Sequence, residues 1–328
     1  MTTLQGMGRL ALRAMRSWFA SAPSVPPPAG LLHLTPGIPT YFLERNWAQR
    51  RAEFVASPAQ SIGIGFAEAN AAAIRRLALA EGDAARLHVV FNLGAGALMT
   101  YLRSGDYMNA YQRPVVNGKE RKPSPTRLRV DKLIELADPA NTYFCALEMG
   151  GAGVRFYGEY CAVLKSPADA RNVKRVMDRN SYEFICNPLK SYLEELGKAQ
   201  QRQLIEGLGA RFRSPDSADL LALKVMQTQN CRARLLSLGT IGASVIRDED
   251  YVEAYHEGPI TLSSMLELRE GGEEATIEAS INGRWQAGQV SIEEMLWLRR
   301  REAVREEANA KGIPIRIVSG SGRTQRWK

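Results

Sequence analysis

Two kinds of hydrophobic pattern run along the chain. Short apolar runs bounded by glycine or polar turns predict strands: "RLHVVFNLG" (86–94), "TYFCALEM" (142–149), "VRFYGEYCAVLK" (154–165) and "IPIRIVSG" (313–320). Longer stretches with apolar residues at helical spacing predict helices over 67–82, 95–105, 129–138, 189–209, 217–239 and 292–312. The second of these is expected to stop at Gly105, a natural C-terminal cap. "YVEAYHEGPITLSSMLELRE" (251–270) and "ATIEASINGRWQAGQVSIEEM" (275–295) each read as strand, turn, then strand or short helix. "QRPVVNGKERKPSPTRLR" (112–129) reads as an exposed basic loop. Strands and helices in this mixed order predict an α+β fold and not a doubly wound parallel sheet.

One strand resists a simple reading. "VRFYGEYCAVLK" places a glycine and a glutamate between two tyrosines. In a plain core strand Gly158 would weaken packing and Glu159 would need a partner. At the rim of a pocket, Gly158 would let a ligand approach the backbone and Tyr157 would offer a ring face, with Glu159 on the opposite side.

Composition narrows the class. With 328 residues, 45% hydrophobic and 24% charged, the chain can bury a large core without staples. Proline-rich "SAPSVPPPAG" divides a basic segment, 1–30, from a single domain spanning 31–318, and a basic tail closes the chain at 319–328. The first segment holds Arg9, Arg13 and Arg16 and no acid; a targeting or membrane-surface helix, a leader, and a helix packed on the domain all fit it. The net charge of +8 suits an anionic ligand or partner. No apolar run reaches membrane-spanning length. Four widely spaced cysteines and three histidines leave little material for a metal site, and none is expected. GxxxxGK[ST], HExxH and GxSxG are all absent, which argues against P-loop, zincin and hydrolase-elbow chemistry.

Several short segments taken in order carry a resemblance: "LHVVFN", "LRSGDYMNAYQ", "YFCAL", "GVRFYGEYCAVLK", "DRNSYEF" and "DYVEAYHEGPITL". Over roughly residues 86–265 the chain resembles a divergent bacterial family of ADP-ribosyltransferase-like proteins, several of them toxins or effectors. The resemblance implies a split β-sheet core, two small sheets face to face with flanking helices, and NAD held in the cleft between them. It implies Glu253, the glutamate of "Y-V-E-A", as the catalytic carboxylate, with Glu278 of "TIEAS" as its competitor. It also implies His88 or Arg86 on the ribose or phosphate, Tyr107 and Tyr157 stacking on nicotinamide, Gly158 beside them, and Ser181 supporting the glutamate. Residue 251 is Tyr, without the Glu or Gln that marks arginine-directed members. The implied partners are a protein or nucleic-acid acceptor and an immunity or antitoxin protein, and the implied location is the cytoplasm or a target cell. Read from the residues alone, Glu253 and Glu278 also fit the solvent face of a strand, and His88 a core histidine. A nonenzymatic protein that binds nucleic acid through its basic loop, or a partner through the helix at 292–312, is the alternative function.

Overall fold

In a computed structural model of the chain, the described residues are 64–80, 86–109, 111–112, 123–165, 172–186, 189–207, 209–226, 229–237, 240–241, 246 and 251–319. The basic segment at 1–30, its proline-rich boundary, most of the loop at 112–129 and nearly all of the basic tail lie outside them. The helices are α1 (Ile64–Ala78), α2 (Ala95–Ser104), α3 (Pro125–Leu133), α4 (Leu189–Glu195), α5 (Lys198–Gly207), α6 (Pro215–Met226), α7 (Gln229–Ala233), α8 (Gly272–Trp285) and α9 (Ile292–Ala310). The strands are β1 (His88–Leu93), β2 (Asp106–Tyr107), β3 (Thr142–Glu148), β4 (Tyr160–Leu164), β5 (Val173–Met177), β6 (Gly209–Arg211), β7 (Glu253–Glu257), β8 (Ile260–Thr261), β9 (Met265–Gly271) and β10 (Ile315–Val318).

The fold is α+β, with a mostly antiparallel sheet. Eight strands run in the order β10-β9-β4-β1-β3-β7-β5-β6, and β2 with β8 makes a separate two-stranded ribbon. This differs from the expected pair of small sheets. The reason lies in β1, buried along nearly its whole length, which is hydrogen-bonded to β3 on one edge and β4 on the other, so the sheet is continuous through its centre. Among the described strands, only β10 runs parallel to its neighbour, β9, and it returns there through the α8–α9 pair.

Residues paired across a ladder point to the same side of a sheet. The registers Val90↔Ala146 and Ala146↔Glu253 therefore put Glu253 on one face with His88, Glu148 and Tyr255. Phe91, Cys145, Ala254 and His256 occupy the other, and the larger core takes in apolar residues of both faces, Val90 and Ala146 as well as Phe91 and Cys145. The Glu253 face carries a second, smaller core of Val130, Ile134, Met177, Phe184, Leu193, Ile205 and Tyr255.

Helix ends follow the local sequence. Gly105 ends α2 at φ 87°, a left-handed conformation that glycine adopts without strain. Ser124 caps α3 by accepting from Arg127 N–H, and Pro125 starts it. Ser291 and Glu294 form a reciprocal capping box on α9. The segment expected to be a strand and turn at 275–285 is helix α8. Its apolar and small residues alternate over a few positions, but its buried positions, Glu274 and Ile281, are seven apart, two helical turns. Glu273 and Glu274 also suit the positive end of a helix. In α9, Trp297 is buried and Leu296 is exposed, as three consecutive bulky residues on a helix require. Cys145, Cys161 and Cys231 are buried, and Cys186 is exposed.

Candidate functional site

Glu253 opens β7 and is 2% exposed, so it does not lie on a solvent face. A buried carboxylate requires hydrogen bonds or a cation. Ser181, first residue of a 3₁₀ turn after β5, donates its backbone N–H to Glu253 Oε2 at 3.0 Å. Asn180 caps that turn by accepting from Tyr182 N–H. Burial pushes the Glu253 carboxyl up to about 7, against the opposing pull of the Arg127 guanidinium and the Ser181 backbone N–H.

Aromatic rings flank this carboxylate. Tyr251, two residues earlier, meets Tyr157 edge-on with centroids 6.5 Å apart. Asn180 donates from Nδ2 to the Tyr157 hydroxyl at 2.9 Å. Tyr157 is 46% exposed, beside a turn that holds the buried acid. Burial and the nearby Glu253 charge both raise Tyr251, which keeps its phenol protonated at neutral pH.

The structure thus brings Glu253, Ser181 and Tyr157 together and distributes the other expected residues elsewhere. His88 shares the sheet face with Glu253 but is separated from it by β3, on the order of 12 Å away by strand spacing and rise. Burial, with Arg269 nearby, lowers His88 to about 4, so it is neutral at pH 7. Arg86 is exposed just before β1, and its charge acts on His88. Tyr107 belongs to the opposite face: it stacks on Phe91 at 4.5 Å and leans against Tyr101 and Tyr143. It is a packing residue in the larger core.

Gly158 does not open the backbone to a ligand. A methyl there would overlap the Leu93 carbonyl carbon and the Gly94 nitrogen, so what approaches closely is the end of β1. Asn92, one residue before Leu93, donates to the Gly158 and Ala152 carbonyls at 3.0 and 2.9 Å and ties the same crossing. Glu159 is accounted for as well. It is buried, and its Oε1 accepts from Ala95 N–H at 3.2 Å, which places a carboxylate at the N-terminus of α2. Glycine and glutamate between two tyrosines make a strand-to-strand contact and a helix cap.

Glu278 is on α8, not on a strand. Arg305 and Arg301 donate to its carboxylate at 2.5 and 3.1 Å, and the Arg305 hydrogen bonds hold the acid below its ordinary range. It lines an open groove of about 570 Å³ between α8 and α9, beside Trp285, Met295 and Leu298. Its partner Arg301 is fully buried and also bonded to Glu270. Glu278 therefore balances buried arginine charge.

Other residues at the site were hidden in the sequence. Arg127 falls in the stretch expected as an exposed loop, yet it is 6% exposed on α3. Its Nε donates to Asp131 Oδ1 at 2.5 Å, and its guanidinium lies 3.6 Å over the Phe144 ring and 5.2 Å from that of Tyr182. The signal available was Ser124-Pro125 as a helix start, followed by Arg and Asp at i and i+4.

No family model, curated protein or solved structure matches the chain. Among the described residues, no group of three or more His, Cys, Asp or Glu is placed to hold a metal ion, and no helix is long and apolar enough to cross a membrane.

Proposed function

We propose that the chain cleaves NAD⁺ at the nicotinamide–ribose bond and transfers ADP-ribose to a macromolecular acceptor. The observation that carries this reading is Glu253: a buried carboxylate, shifted to about 7, held by Ser181 beside the exposed ring of Tyr157. In this reaction the bond from ribose C1′ to the nicotinamide nitrogen breaks. Its electron pair leaves with nicotinamide, positive charge gathers on the ribose, and a nucleophile then bonds C1′ and loses its proton. A fixed anion next to that ribose stabilises the transition state more than the ground state, and more strongly in a dry site than in water. Tyr157 supplies a stacking surface for the planar nicotinamide. The ordered motifs between 86 and 265 support the same reading. The continuous eight-stranded sheet replaces the two-sheet cleft expected for that family, so the reading rests on the carboxylate and its neighbours and not on the overall fold.

Incubating the purified chain with labelled NAD⁺ and a cell lysate tests this. Label transfer is expected from the native chain and is expected to vanish in Glu253→Gln, which keeps size and hydrogen bonding but not charge. Undiminished transfer by Glu253→Gln would remove Glu253 from the reaction.

A further inference from the structure

Glu253 is buried, so its meeting with any ligand depends on the groups packed on it. One of them is the 3₁₀ turn Ser181–Ile185, whose first N–H binds the carboxylate. The far part of that turn is firm. Phe184 sits in the smaller core, and the Glu183 N–H donates back to the Asn180 carbonyl at 3.0 Å. The near part starts at Asn180, which is itself buried, so both ends of its amide need partners.

Asn180 has both. Its Oδ1 accepts from the Tyr182 N–H at 3.0 Å, and its Nδ2 donates to the Tyr157 hydroxyl at 2.9 Å. Capping the turn needs only the first bond. The second reaches back 23 residues to a half-exposed side chain. Tyr157 in turn meets Tyr251 edge-on, with centroids 6.5 Å apart, and Tyr251 stands two residues before Glu253. The contacts close a ring. It runs from Glu253 to the Ser181 N–H, along the backbone to Asn180, across to Tyr157, on to Tyr251 and back along the chain to Glu253. In such a network each bond supports the others, and the Asn180–Tyr157 bond is the one that joins the exposed aromatic to the turn on the buried acid.

We propose that Asn180 is the positioning residue that ties the ring of Tyr157 to the turn holding Glu253. Its oxygen fixes the start of the turn and its nitrogen fixes the ring, so the aromatic surface and the carboxylate keep one spacing. Asn180 does not touch the reacting atoms; it acts through Tyr157 and Glu253. The consequence for catalysis rests on the NAD⁺ reading above; the tie itself does not.

Two substitutions cut this bond from opposite sides. Tyr157→Phe removes the hydroxyl and keeps the ring. Asn180→Ser keeps a capping oxygen and is too short to reach Tyr157. The readout needs no substrate: a carbodiimide couples glycine ethyl ester to accessible carboxyls, and tandem mass spectrometry follows the modification at Glu253. Each variant is expected to label Glu253 about tenfold faster than the native chain, the size of one hydrogen bond lost at a buried group. The double variant is expected to match the single ones, because both remove the same link. If Asn180→Ser does not fold, Tyr157→Phe alone decides. A native labelling rate in Tyr157→Phe, or a double-variant rate equal to the product of the single effects, would overturn the proposal and leave Asn180 as a cap alone. Nicotinamide release is measured separately. Where the native chain releases it, both variants are expected to lower the rate at saturating NAD⁺ about tenfold with KM near native, since the stacking ring is retained. Absence of release by the native chain would overturn the NAD⁺ reading alone, so the two fail independently.

Discussion

At the scale of single residues, Glu253 sets up an opposition between stability and activity. Its folded-state value, about 7, lies above the ordinary 4.5, so between those values the folded chain binds more protons than the unfolded one. Stability from this group is therefore full below about 4.5 and is lost as pH rises through 7, a cost on the order of 3 kcal/mol at alkaline pH. Glu253→Gln should raise the thermal midpoint at pH 8 and change it little at pH 5, a difference that calorimetry at the two pH values would show. Gly158 makes the opposite kind of prediction. An alanine methyl there meets backbone, which cannot rotate away, so Gly158→Ala should cost roughly 2–4 kcal/mol in denaturant unfolding. A neutral result would mean that β4 can move off the end of β1.

At the scale of elements, Glu159 joins a strand to a helix. Replacing it with Ala removes an acceptor from the first turn of α2 and should cost about 1 kcal/mol, with added amide exchange confined to the first turn of that helix. Glu278 joins the two C-terminal helices. Glu278→Gln leaves Arg301, which is fully buried, with Glu270 as its remaining acid, so unfolding should come earlier while label transfer from NAD⁺ persists. Loss of transfer without loss of stability would return Glu278 to the candidate site. Most elements were legible because their periodicity was uninterrupted: β1, β3, α2 and α9 lie where their apolar patterns place them. Two were not. The strand pattern at 275–285 came from β-branched residues on a helix that buries only a narrow stripe. The start of α3 was masked by the basic, proline-rich sequence before it, and that concealed Arg127.

At the scale of the whole molecule, the sheet decides which residues can meet. A period-two pattern says that neighbours face opposite ways; it does not say which strands are adjacent. Tyr107 and Glu253 both stood in suggestive motifs, yet the β2–β8 ribbon holds Tyr107 on the far face of the sheet. Ser181 and Tyr157 reach Glu253 because β5 pairs with β7 and because the 3₁₀ turn of Tyr157 lies against Tyr251. These are contacts between segments some 70 to 95 residues apart, and local pattern carries no information about them.

Nicotinamide release from NAD⁺ across pH 5 to 9, by the native chain and by Glu253→Gln, tests the central claim most directly. The native rate should rise with pH through a midpoint near 7, as Glu253 loses its proton, and the variant should show no such rise. No release by the native chain at any pH, or the same pH profile in both proteins, would contradict the assignment of Glu253 to this chemistry.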